Sequence, residues 1–377
     1  MEIIERSKCV ITGEKDLEYL YTFKDFPVYM GVTENCKDKD LKCDMTFMIS
    51  KSSGMIQMKS LIALDDLYSE NHNNSVGTVW MKHHNEFADF IKKFQPKNVL
   101  EIGGATGILA KVYMDKNNIK WSIIEPNPIP VEGCKAEFIK DFFNEKYILL
   151  DEYDSIVHSH VLEHMYEPDI FIKNLSDCLG EGKKMFFSIP NMMEMLKRKY
   201  TNTLNFEHTF FATEQYIEYL LAKFRFEILN KEYFMDDGSI FYAVEKRGNV
   251  DIKELDKNLY SVNKGIFIDY INYHRNMITK FNEKMKESNM KVYLFGAHIF
   301  TQYLIEFGLD TSKIISILDN DVHKQGKRLS GTELYVESPK ILKDEEAAIV
   351  ILKVGIYNSE IKKDILENIN SNIEFLE

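Results

Sequence analysis

From residue 80 onward the apolar positions change period in a regular way. Trp80, His84, Phe87, Ile91 and Phe94 recur at steps of three and four, which predicts one face of an amphipathic helix ending before Pro96. Short apolar runs then alternate with helical stretches. Residues 98–102, 121–124, 154–161 and 185–189 read as strands, with a helix over 169–179. Such alternation predicts an α/β fold, a mainly parallel sheet covered on both faces. Residues 226–234 and 239–245 read as an antiparallel hairpin across Asp236-Asp237-Gly238, because Asp-Gly favours a tight turn. The charged stretch 246–258 interrupts the pattern. A long amphipathic helix follows, with Ile266, Tyr270, Tyr273, Ile278 and Phe281 as expected buried positions, and then strands over 292–295, 314–318 and 348–352. Residues 1–75 show no long helical period. The expected organisation is an irregular segment over 1–75, a core over 76–250 and a second, smaller Rossmann-like unit over 251–377.

Charge and cysteine usage narrow the function classes. The net charge of −12 argues against a nucleic-acid binder or an anionic-membrane binder, since no basic field would recruit phosphate. No apolar run approaches the ~18–20 residues of a membrane span, and residues 1–6 show no signal-peptide core. Five scattered cysteines, Cys9, Cys36, Cys43, Cys134 and Cys178, make no disulfide framework. The expectation is a cytoplasmic, reduced protein.

The most specific chemistry lies in Glu101-Ile102-Gly103-Gly104-Ala105-Thr106-Gly107, a buried strand running into a glycine turn that opens a helix. Glycine lets a backbone take positive φ and approach a ligand closely. The spacing differs from the G-x-G-x-x-G of dinucleotide folds, and no P-loop lysine follows. Glu125 closes the second strand, where an acid can hold ribose hydroxyls. Asp141-Phe142 follows the third and could meet an adenine edge and face. Ser159-His160-Val161-Leu162-Glu163-His164 follows the fourth, at the carboxyl edge where ligands bind in open α/β sheets. His160 or His164 could line a pocket there; alternatively Glu163 and His164 only stabilise a helix start. After the fifth strand come 191–205 and then Glu207-His208. Adjacent side chains converge only from a loop, and histidine suits proton abstraction near neutral pH.

These residues resemble the class I S-adenosylmethionine (SAM) methyltransferases. Glu101, Gly103, Gly107, Glu125 and Asp141 match that family's cofactor motifs one by one, and the resemblance brings Gly104, Phe142, Ser159 and His160 to the same site. Glu207-His208 followed by Thr209-Phe210-Phe211 resembles a narrower group, the nucleotide-sugar C-methyltransferases, in which the histidine is the proposed base. Leu294-Phe295-Gly296-Ala297, Ile317-Leu318-Asp319-Asn320 and Lys324-Gln325-Gly326-Lys327 resemble that group's last domain, which implies a role in holding the substrate, or only in packing. The group's amino-terminal zinc site needs two C-x-x-C pairs. Here those positions read Cys9, Thr12, Ser50 and Ser53, and hydroxyls are poor zinc ligands, so zinc is not expected. Asn205 replaces a tyrosine, and Tyr68 and His72 stand where the group has further aromatics.

The resemblance implies a SAM-dependent methyltransferase acting on a small molecule, a nucleotide-linked sugar or surface-glycan precursor. His208 would be the base, Glu207 its orienting or assisting partner, and Tyr68, His72 and His164 further candidates for proton work. O- or N-methylation would use the same cofactor site. A non-catalytic SAM-binding protein is the alternative from another class.

Overall fold

In the computed structural model the described residues are 1–67, 77–147, 151–235 and 238–377. The expected helix spans Thr78–Lys92 (α1) and buries Phe87, Ala88, Phe90 and Ile91. Seven strands follow: β1 (Asn98–Ile102), β2 (Lys120–Ile124), β3 (Glu137–Ile139), β4 (Ser155–Ser159), β5 (Lys184–Pro190), β6 (Phe226–Phe234) and β7 (Ser239–Lys246). They form one sheet in the order β6-β7-β5-β4-β1-β2-β3. Its members are parallel except β7, which runs antiparallel to both β5 and β6. The order reverses beside β1, and crevices at such a switch point bind ligands in doubly wound sheets. α2 (Ile108–Met114) follows β1, and α3 (Pro168–Cys178) lies between β4 and β5. Strand interiors such as Val99-Leu100 and Phe186-Phe187 are fully buried, as a sheet covered on both faces requires. Residues 236–237 of the expected tight turn lie outside the described residues.

A second sheet has five parallel strands: β8 (Lys291–Phe295), β9 (Ile314–Leu318), β10 (Val336–Glu337), β11 (Ala348–Leu352) and β12 (Ile373–Leu376), ordered β10-β9-β8-β11-β12. The helix before it covers Leu259–Glu287 and buries Phe267, Tyr270, Ile271, His274, Ile278 and Phe281. Tyr273 is exposed instead, and Ile266 only half-buried: the buried stripe runs through Phe267, Tyr270 and His274.

Residues 1–67 hold more regular structure than their pattern suggested. Leu17–Pro27, Lys42–Ser50 and Ile56–Met58 form an antiparallel sheet. Register shifts in the longest strand break strict alternation, which is why a period-two reading misses it. Many contacts fix residues 1–67 to the rest, and two show how. Gln57 bridges to Phe210. The buried Arg328 guanidinium donates to both Asp40 carboxylate oxygens at 2.7 Å. At the positions compared above with a zinc site, Cys9 Sγ lies 3.3 Å from Ser53 Oγ, which donates to Ser50 Oγ at 2.9 Å. Ser50 Oγ donates in turn to Asp16.

Candidate active site

The carboxyl edges of β1, β2 and β4 open on a cavity of about 1090 Å³. Glu101, Gly103, Gly104, Glu125, Asp141, Phe142, Ser159, His160, His164, Glu207 and His208 all line it. Gly107 does not line it. It sits at φ +72°, at the start of α2, and a Cβ there would lie 2.8 Å from Cys134 Sγ and 2.9 Å from Phe138. Its smallness serves helix–strand approach. Tyr68 and His72 lie outside the described residues.

The glycine turn is tight for stated reasons. Gly103 has φ +70°, and a Cβ on it would lie 2.7 Å from a Val161 methyl. Gly104 leaves room for the Glu101 carboxyl, 2.9 Å from where its Cβ would stand. Glu101 is buried, accepts the Trp121 indole N–H at 2.8 Å and is pushed up to about 7 by burial. Glu125 accepts the backbone N–H groups of Ala105 and Asn127, each at 3.0 Å. A carboxylate has about four acceptor positions, so capacity remains for two hydroxyls. Asp141 holds the Tyr147 hydroxyl at 2.7 Å and pairs with Lys146; these contacts keep its carboxyl below the usual range. Phe142 beside it is exposed. This cradle fits an adenosyl cofactor: glycines where a backbone must approach, and acids at two successive strand ends.

The opposite wall carries titratable side chains, Glu207, His208, His164 and His160. Asn205 is buried, and its side-chain carbonyl accepts the N–H groups of both Glu207 and His208, at 2.8 and 2.9 Å. This Asx turn turns two consecutive side chains into one cavity. His208 Nδ1 lies 2.8 Å from the Thr203 carbonyl, which can only accept; the N–H is therefore on Nδ1, and Nε2 keeps its lone pair. Burial, helped by His164, lowers the His208 pKa, so the ring is neutral at pH 7. His164 Nδ1 lies 3.7 Å from Glu207, and the His164 and His208 rings are 5.2 Å apart. His160, in the left-handed region at φ 53°, pairs through Nε2 with Ser239 and stands 3.1 Å from Glu163. Such backbone conformations cluster at functional sites.

Several lining residues escaped the sequence reading. Trp80 and His84, read as an apolar stripe, line the cavity, as does His83, whose ring is held neutral by burial and titrates only at about 2. Phe300, Gly355, Ile356 and Tyr357 come from the second sheet. Arg6 acts from outside: its guanidinium donates to the Thr209 carbonyl at 2.6 Å and the Tyr166 carbonyl at 2.5 Å. It thereby ties together the two loops that carry His164 and His208. No local signal marks such a contact across 203 positions.

A methyltransferase-domain family model matches residues 74–231, and a model for a C-methyltransferase C-terminal domain matches 253–376. The chain thus carries a stretch that matches a methyltransferase domain, followed by one that matches a C-methyltransferase C-terminal domain. No curated protein matches it. Among solved structures, magnesium protoporphyrin IX methyltransferase from Synechocystis, with SAH bound, is 12% identical over 48% of this methyltransferase and 90% of that chain, at a TM-score of 0.35. The N-methyltransferase NodS of Bradyrhizobium japonicum is 14% identical over 46% and 99%, at 0.33. An O-methyltransferase family protein from Burkholderia thailandensis is 9% identical over 44%, at 0.34; this methyltransferase spans 57% of that chain's length. No helix among the described residues is long and apolar enough to cross a membrane.

Proposed function

We propose that this methyltransferase alkylates a carbon next to a ketone on a nucleotide-linked sugar or related glycan precursor, and that its parts are 1–75, a SAM core over 76–250 and a substrate-side unit over 251–377. The observation that carries the reading is the His208 imidazole, tautomer set by Thr203, on the same cavity wall as Glu207. Gly103, Gly104, Glu125, Asp141 and Phe142 would hold SAM, which supplies an activated methyl group when bound. His208 Nε2 would take the proton from the substrate carbon, leaving an enolate whose carbon is the nucleophile. Glu207 would hold His164 and the acceptor, and steady the imidazolium that forms. General-base help of this kind is worth ~10²–10⁴-fold in rate, with positioning supplying more. The size of the cavity, and its lining by Phe300 and Tyr357, support an acceptor that extends toward the second sheet. The deciding experiment is mass spectrometry of small molecules co-purified with the enzyme, then methyl transfer to them in deuterated water with NMR of the product. A new carbon–carbon bond supports the reading; a methyl on oxygen or nitrogen overturns it.

A further inference from the structure

The wall opposite the glycine turn holds more ligating chemistry than one proton transfer needs. Glu163 is wholly buried, and the partner of its carboxylate is the His160 imidazole, whose Nδ1 lies 3.1 Å from Oε1. Burying a carboxylate is costly unless something compensates it. Imidazoles stand around it: His160 Nδ1 at 3.1 Å, His164 Nε2 at 4.0 Å, and His208 across from His164. One ligand atom from each of Glu163, His164 and His208 falls within 4.8 Å of the other two. Two imidazoles and a carboxylate form a donor set for borderline divalent metals, above all zinc. The backbone supports it: Thr203 fixes the His208 ring from behind through Nδ1, as outer partners do for ligating histidines.

We propose that Glu163, His164 and His208 form a site for a divalent transition-metal cation of the zinc class, whose occupation silences the enzyme. A metal on His208 Nε2 would take the lone pair that the base needs. The silencing rests on the proposed base role of His208; the site itself does not. This places metal chemistry in the catalytic loops, far in sequence from the cysteine-poor amino-terminal positions.

The test is calorimetric titration of metal-stripped full-length protein with Zn²⁺, with Co²⁺ absorption as a reporter of imidazole coordination. One zinc per chain is expected, bound at least about tenfold more weakly in H164A and in H208A, and unchanged in C9S. SAM affinity reports folding; if an alanine variant loses it, E163Q gives the same readout with the shape kept. Absence of zinc binding, binding that H164A, H208A and E163Q all retain, or binding lost in C9S overturns the site. With active enzyme, zinc should lower turnover and a chelator restore it. Unchanged or increased turnover on adding zinc overturns the silencing. Zinc bound at these residues in an enzyme whose H208A variant still turns over would keep the site and reject the base.

Discussion

The two sheets repeat one arrangement and put it to different use. In the first, β1 runs into Gly103, and Glu125 at the end of β2 accepts the Ala105 N–H at 3.0 Å. In the second, β8 runs into Gly296, and Asp319 after β9 accepts the Ala297 N–H at 2.9 Å. Strand, glycine turn, helix and acid recur in the same order. The difference lies in what surrounds the acid. Glu125 borders the large cavity, whereas Asp319 does not and pairs with Lys324 Nζ at 3.1 Å. Gly296 is pressed against Val354, 2.5 Å from where its Cβ would be. A glycine turn with an acid is thus a way to join a strand to a helix; open space beside it makes it a site. The second sheet meets the cavity by other residues, Phe300, Gly355, Ile356 and Tyr357.

The comparison breaks most severely if the chemistry is not on the open side. H208A should lose ~10²–10⁴-fold in turnover while keeping SAM affinity by calorimetry, and E207Q should lose less. Full turnover in H208A would move the base elsewhere. Next in size, E125A should weaken SAM binding by about 1.5–3 kcal/mol, the value of hydrogen bonds to a charged group. D319A should leave SAM affinity unchanged. Equal losses in the two variants would erase the distinction between site and joint. A smaller effect is expected from the glycines. G296A should cost about 1–3 kcal/mol of stability, from strain at φ +100° and the Val354 contact, read as a drop in Tm without loss of SAM affinity. G103A should lower both.

The smallest effect concerns pH. The His208 pKa is lowered in the folded protein, so its imidazole stays neutral further into acid than a free histidine. Turnover should therefore fall on acidification only below the usual value of about 6.5. An acid limb centred above that value would mean that the charge of Glu163 outweighs burial. His83 and His158, buried with pKa values of about 2 and 3, act on stability in the same direction. The unfolded chain binds protons there from about pH 6.5 downward and the folded one does not, so stability should decline as pH falls through that window.

Local pattern carried the core well. Strand runs, the glycine turn and the acids at strand ends all follow from short-range rules, and their residues meet at one cavity. What escaped depends on distance. Trp80 and His84 have the spacing of a buried stripe, and only the open cavity beyond them makes them wall. Asn205 looked like a loss because a tyrosine was missing; its use is to accept two N–H groups, which spacing does not reveal. The strand over 373–376 is short and terminal, and it gains its meaning only by pairing with β11.

Arg6 has a consequence for how the two loops are held. Its guanidinium lies 159 to 203 positions before its partners, the 165–166 and 209 carbonyls. The loops that carry His164 and His208 are joined through Arg6 only when the amino-terminal segment is docked beside them. A chain cleaved just after Arg6 keeps the residues of the glycine turn and of both loops but loses the clasp that joins those loops.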